Sequence, residues 1–115
     1  MPVALDDRLS LDVVTFAAGG HRYGIEASRV SAQRPAAGDG RPLLQIGDRL
    51  IAVTPPVELR RFEAAAIHPL PPLVAARCRL AALLALALDG EGAILLLDGD
   101  RLPEGDPALA LEALA

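Results

Sequence analysis

The sequence predicts a small, mainly β domain of barrel-like form, built from short strands with few and short helices. Several short apolar runs alternate with a period of two and are rich in β-branched residues, which is typical of strands. Gly-Gly, Gly-Asp and Asp-Gly pairs separate these runs and favour tight hairpin turns. A chain of 115 residues suffices for one domain and leaves no room for a second independent core.

The first predicted unit is a hairpin followed by a short helix. Residues 11–18 form the first strand, Gly19-Gly20 the reversal and residues 21–26 the second strand. The spacing of apolar and polar side chains over residues 26–32 predicts one or two helical turns. These turns end before Pro35, because the residue before a proline avoids helical backbone. Residues 36–41 are predicted as a loop.

The middle of the chain predicts a second hairpin, a further strand and a short helix. Residues 43–46 and 49–54 flank Gly47-Asp48, a pair suited to a two-residue turn. Pro55-Pro56 is expected to break strand pairing, and residues 57–62 form the next strand. A proline-containing turn then leads into a helix over residues 73–77, where proline is tolerated in the first turn.

The last apolar region is ambiguous between helix and strand. Leucine and alanine over residues 80–88 favour a helix by propensity. The same residues alternate, and Asp89-Gly90 joins them to a second apolar run at residues 93–97, which favours a buried hairpin. We predict strands. The domain then spans residues 11–102, between an N-terminal extension at residues 1–10 and a C-terminal tail at residues 103–115 with a short helix over residues 108–114.

Composition excludes several classes of function. The formal charge is −4, whereas nucleic-acid binding needs a basic surface, so no nucleic-acid partner is expected. All eleven cationic residues are arginine, which we attribute to the codon bias of a GC-rich genome. The single cysteine, Cys78, excludes a disulfide framework and favours a reducing compartment. Residues 80–88 are about half as long as a membrane span, and Asp6 and Asp7 interrupt any secretory signal. We expect a cytoplasmic protein without membrane insertion.

The sequence predicts no catalytic residue, no cofactor and no metal. No nucleophile motif surrounds any serine, and the carboxylates between residues 89 and 100 lack the spacing of a calcium loop. Asp89 is expected in a turn, Asp98 is expected to cap the turn after its strand, and Cys78 is expected to be structural. One alternative stays open, a small enzyme or ligand-binding barrel in which His68 and Asp98 share a cleft.

Three stretches, taken in order and spacing, resemble the CheW-like domain, the adaptor module of bacterial chemotaxis arrays. Residues 13–25 (VVTFAAGGHRYGI) with Val30 resemble that family's first hairpin and helix. Residues 43–57 and 67–73 (IHPLPPL) resemble its middle strand pair and proline-containing turn, and residues 84–98 resemble its terminal hairpin. The resemblance covers residues 11–102 and implies two small SH3-like, five-stranded barrels side by side. It also favours strand over helix for residues 80–88.

The middle of the chain departs from the family pattern. Family members usually carry a Gly-x-x-x-x-Arg-Gly strand and a Pro-x-x-Asp-Leu strand between the first helix and the middle strands. Here residues 31–40 take that place and hold neither motif. One barrel is therefore expected to be incomplete. Because the missing stretch contributes to docking in the family, receptor binding is expected to be weaker than kinase binding.

The resemblance implies a non-enzymatic signalling adaptor that binds the regulatory domain of a chemotaxis-type histidine kinase, and more weakly a chemoreceptor, through strand edges and apolar grooves. An incomplete barrel leaves strand edges unpaired, so we also expect a homodimer. The predicted contact residues lie near the first helix and the middle strands: Ile25, Val30, Val53, Val57, Leu59, Arg60 and Arg61.

Overall fold

The computed structural model describes residues 10–37, 40–77 and 82–102, and these residues are mainly β, as predicted. The strands are β1 (Ser10–Ala18), β2 (His21–Glu26), β3 (Val30–Ala37), β4 (Arg41–Ile46), β5 (Arg49–Ala52), β6 (Thr54–Glu63), β7 (Ile67–Pro69), β8 (Leu83–Asp89) and β9 (Gly92–Leu97). A short helix, α1 (Pro72–Arg77), and 3₁₀ turns at Ala27–Arg29, Ala64–Ala66 and Gly99–Arg101 complete the described elements. Residues 1–9 of the predicted extension, Cys78 and the predicted tail helix lie outside the described residues.

The larger sheet has six strands in the order β6-β1-β2-β9-β8-β7. Strands β2 and β9 run parallel, and the other neighbouring pairs in this order run antiparallel. The β1–β2 hairpin is confirmed, with Ala18 opposite His21. Gly19 and Gly20 have φ of 58° and 85°, the positive values that a two-residue turn of this kind requires.

The smaller sheet has the order β3-β4-β5. Its β4–β5 hairpin turns at Gly47-Asp48, as predicted, with Ile46 opposite Arg49. The prediction for the residues before it is wrong in part. Only Ala27–Arg29 is helical, and the following residues form β3 instead of a second helical turn and a loop. Pairing with β4 supplies the backbone hydrogen bonds of β3, and Pro35 is tolerated because β3 is an edge strand.

The two prolines at the start of β6 lie in an irregularity of its ladder with β1. Thr54 pairs with Ala17 and Glu58 pairs with Thr15, so three residues of β6 stand opposite Phe16 alone. The predicted break in pairing is therefore confirmed at this point. The strand itself does not end there, and it extends over all ten residues of β6.

The C-terminal hairpin is confirmed, as β8 and β9 form strands in spite of their helical propensity. Cross-strand contacts of the pair Ala87 and Ile94 bury both side chains, and this burial outweighs propensity. The sequence did not predict β7, which pairs with β8 at the sheet's other edge. The predicted helix is confirmed as α1. In the described ranges no helix has the length and hydrophobicity needed to cross a membrane.

Buried side chains form two clusters, one on each side of strands β1, β2 and β9. The first cluster joins the two sheets and is composed of Phe16, Ala18, Tyr23, Ile25, Leu44, Ile46, Ile51, Val53, Ala82, Leu97 and Leu102. The second cluster lies on the opposite face and is composed of Val13, Phe62, Ala87, Ile94 and Leu96. Strands β1 and β9 contribute side chains to both clusters, so the two clusters are not independent cores.

The six-stranded sheet curls without closing. Its two edge strands, β6 and β7, are separated in the chain only by the 3₁₀ turn Ala64–Ala66, so the edges must meet at this turn. Phe62 of β6 packs in the second cluster, and Ile67 of β7 packs against it. Within the described residues no backbone pairing joins β6 to β7, and neither sheet forms a closed barrel. The described residues therefore form a curled six-stranded sheet and a separate three-stranded sheet in place of the predicted barrels.

Candidate functional site: the edge strand β6 and the Asp89 cluster

Strand β6 is the long edge of the larger sheet. In the described part of the chain it pairs with β1 and with no other strand, and Leu59 stands opposite Val14 in that ladder. The outer side of an edge strand presents backbone N–H and C=O groups that an added strand can pair with. We call the outer side of residues 57–61 the β6 edge.

Four of the predicted contact residues lie together on the β6 edge. Leu59 is 68% exposed, an unusual state for a leucine within a strand, and Val57 is half-buried against the first cluster. Arg61 is exposed and its Nε lies 2.9 Å from Oδ1 of Asp12 on β1. Arg60 points to the other face of the sheet, where it joins the ion pairs described below.

The other three predicted contact residues lie away from this edge. Ile25 and Val53 are both 0% exposed and belong to the first cluster, so neither side chain can contact a partner in this structure. Val30 is half-buried at the start of β3. For Ile25 and Val53 the prediction is corrected. Their apolar character reflects packing between the two sheets, which the sequence alone did not distinguish from a binding surface.

Arg22, Arg60 and Asp89 form a group of ion pairs beside the β6 edge, which we call the Asp89 cluster. Nη1 and Nη2 of Arg22 donate to Oδ2 and Oδ1 of Asp89 at 3.2 and 3.0 Å. Nη1 of Arg60 lies 2.9 Å from Oδ2 of the same carboxylate, and its guanidinium lies 5.9 Å from the ring centroid of Phe62. The backbone N–H of Glu91 donates to Oδ1 at 2.7 Å. The Asp89 side chain, 10% exposed, thus has two cationic partners and one backbone donor.

These contacts favour the charged form of Asp89. The hydrogen bonds from Arg22 have the largest effect, followed by the N–H of Glu91, and together with the charges of Arg22 and Arg60 they lower the pKa of Asp89 from 3.8 to about 2. Burial of the carboxyl group raises its pKa, but by less than these interactions lower it. Asp89 is therefore ionised throughout the physiological pH range.

The Asp89 cluster connects two strands that the sheet order keeps apart. Asp89 ends β8, whereas Arg60 lies on β6, with β1, β2 and β9 between them. The ion pairs therefore hold the end of β8, at the β8–β9 turn, to β6. The prediction of Asp89 as a turn residue is confirmed, because its side chain accepts a hydrogen bond from the N–H of Glu91. The prediction did not include the ion pairs with Arg22 and Arg60. No local pattern indicated partners as distant in sequence as Arg22.

The alternative of an enzyme or ligand-binding barrel required His68 and Asp98 in one cleft. His68 is exposed on β7, opposite Leu86, whereas Asp98 follows β9 and accepts a bond from the N–H of Asp100 at 2.9 Å, the predicted cap. Asp98 lines a groove of about 200 Å³ whose lining residues do not include His68. The structure does not bring this pair together. Among the residues that the structure describes, no group of three His, Cys, Asp or Glu side chains could hold a metal ion.

A second exposed apolar surface lies on β8. Leu84 and Leu88 are 52% and 46% exposed, whereas Ala87 is fully buried in the second cluster. The prediction of a buried hairpin is therefore wrong for these two residues of β8. Leu84 also lines the groove that contains Asp98.

The chain was compared with known proteins. No protein-family model matches it, and no curated protein matches its sequence.

Proposed function

We propose that this chain is a non-enzymatic signalling adaptor that binds the regulatory domain of a chemotaxis-type histidine kinase through the β6 edge. The observation that supports it most is the edge itself. A ten-residue strand is paired on one side only within the described residues, and its central leucine is 68% exposed. The resemblance of residues 11–102 to the CheW-like domain supplies the class of partner.

Strand addition explains how such an edge recognises a protein. A strand of the partner pairs with the backbone of β6, and pockets for alternate side chains give specificity. Leu59 would enter an apolar pocket of the partner, and Arg61 would lie at the rim of the interface. Arg60 is already fixed by Asp89 at 2.9 Å, so less side-chain entropy is lost when the partner binds.

We expect modest affinity, in the micromolar range or about −8 kcal/mol, because a single edge offers less than the standard buried area. Binding to a chemoreceptor is expected to be weaker, since residues 31–40 replace the family's additional strands. A histidine-kinase regulatory domain as partner and the single cysteine together favour a cytoplasmic location.

Calorimetric titration of the full chain with a purified kinase regulatory domain tests this proposal. Leu59→Asp is expected to weaken binding at least tenfold, because it places a charge at the centre of the interface. Leu50→Asp is the matched control, since Leu50 is 51% exposed on β5, in the other sheet. Arg61→Glu is expected to change the salt dependence more than the affinity, as rim charges do.

Two results would contradict the proposal. The first is the absence of heat and of co-elution at tens of micromolar while circular dichroism shows a folded chain. The second is equal weakening by Leu59→Asp and Leu50→Asp, which would place the contact outside the β6 edge.

A further inference from the structure

We infer that the β6 edge also binds a second copy of this chain, forming a two-fold dimer in which the two β6 strands pair antiparallel with Leu59 at the centre. The inference rests on the proposed function in one respect, since both use β6 as a binding edge. The inference differs from the proposed function in what binds the edge, which here is a second copy of this chain.

Symmetry restricts the register of such a dimer. Two copies of one edge strand pair antiparallel about a two-fold axis perpendicular to the sheet. Rotation about this axis leaves each face of the strand on the same side of the sheet in both copies. Residues directly opposite each other in an antiparallel pair lie on the same face. The axis must therefore pass through one residue of β6, and that residue stands opposite its own copy.

The charges of β6 favour an axis at Leu59. In this register Glu58 stands opposite the partner's Arg60, and Arg60 stands opposite the partner's Glu58, so two ion pairs flank the axis. The axis itself brings together two leucine side chains, each 68% exposed in the single chain. Cross-strand pairs of opposite charge and of apolar side chains are the stabilising ones in sheets. The tripeptide of residues 58–60 is thus complementary to itself.

Other registers are less favourable. An axis at Glu58, Arg60 or Arg61 places two like charges directly opposite each other, which destabilises a sheet. An axis at Phe62 leaves only the last three residues of β6 in the pair. An axis at Val57 puts the two prolines of β6, which have no N–H, next to the centre of the ladder.

The side chains that this dimer would bring together are accessible on the single chain. Glu58 and Leu59 are exposed on the single chain. Arg60 uses Nη1 for Asp89, while a guanidinium has five N–H donors, so the same side chain can also bind a carboxylate of the second copy. The Asp89 cluster and the dimer contact are therefore compatible.

Sedimentation of the full chain from about 1 to 100 µM tests whether the dimer exists. We expect a species of twice the chain's 12.0 kDa, and its fraction should increase with protein concentration. Added salt is expected to lower the affinity of dimerisation, because ion pairs flank the axis. Leu59→Asp is expected to weaken dimerisation at least tenfold, since it places two carboxylates opposite each other. Leu50→Asp is expected to leave dimerisation unchanged.

Cysteine cross-linking tests the register. In a Cys78→Ser background, Leu59→Cys places two sulfurs across the axis, where opposed Cα atoms lie about 4.5–5.5 Å apart and allow a disulfide. Arg61→Cys is the matched control, because four residues of offset separate the two copies by roughly 13 Å. Mild oxidation is expected to give a cross-linked dimer with Leu59→Cys and not with Arg61→Cys.

A chain that sediments as 12.0 kDa over the whole range, or equal cross-linking of the two cysteine variants, would overturn the inference. The two proposals fail separately. A Leu59-centred dimer that binds no kinase regulatory domain supports the dimer and removes the adaptor. A chain that binds that domain but stays monomeric does the reverse.

Discussion

Replacing Leu96 by aspartate is expected to unfold the protein at room temperature. Leu96 on β9 is 6% exposed and packs in the second cluster with Val13 and Ile94. The substitution removes leucine packing, which costs about 2–5 kcal/mol, and buries a carboxyl group without a partner, which costs several more. The sum approaches the total stability of a small domain, about 5–15 kcal/mol. Loss of the folded circular dichroism spectrum and of a cooperative thermal transition is the measurable result.

Leu88→Asp is the matched control for this substitution. Leu88 lies on the neighbouring strand β8 and is 46% exposed, so an aspartate there remains solvated. We expect a change in the free energy of unfolding within about 1 kcal/mol. If both variants melt at the wild-type temperature, the second cluster is not a core of the folded protein.

Replacing Asp89 by asparagine is expected to lower the melting temperature at neutral pH and to flatten the loss of stability in acid. The pKa of Asp89 is about 2 in the folded chain and 3.8 ordinarily, so the folded state favours the ionised form. Its contribution is fully present above pH 4 or so and is lost as the pH falls through the folded pKa of about 2. Asparagine does not titrate, and it leaves Arg22 and Arg60 close together without the carboxylate that both of them bind.

The slope of the urea midpoint between pH of about 4 and 2 is the quantity to compare. Glu91→Gln is the control, because Glu91 is 76% exposed and lies 3.9 Å from Arg22, a distance at which an exposed pair contributes little. We expect Glu91→Gln to show the wild-type slope of the urea midpoint, because Asp89 is unchanged in this variant. An unchanged slope in Asp89→Asn would show that the Asp89 cluster does not stabilise the fold.

The sequence was sufficient for the elements whose cause is local. Gly19-Gly20 and Gly47-Asp48 each specify a tight turn, and alternation in the flanking residues specifies the strands, so these two hairpins were predicted with their turns. The short helix followed from its proline-containing start. The choice of strand for residues 83–89 needed more than propensity, since leucine and alanine favour helix and only burial against β9 decides for strand.

The elements that the sequence did not predict depend on distant partners. Strand β3 exists because β4 pairs with it, and β7 exists because β8 does. The same holds for the site. Burial between the two sheets separates Ile25 and Val53 from Leu59, although all three are apolar residues. The ion pair of Arg22 and Asp89 joins residues 67 positions apart, and no local pattern indicates it.

Hydrogen exchange of the β6 amides in the presence of the kinase regulatory domain tests most directly whether this edge is a binding surface. Strand addition buries the outward backbone N–H groups of β6 in a new ladder, and at concentrations where the free chain is monomeric the outward-facing amides of residues 57–61 are therefore expected to exchange more slowly on binding. Amides of the edge strand β5, in the other sheet, serve as the internal control and are expected to exchange at an unchanged rate. Slower exchange confined to β5 or to β8, with β6 unchanged, would contradict binding through the β6 edge.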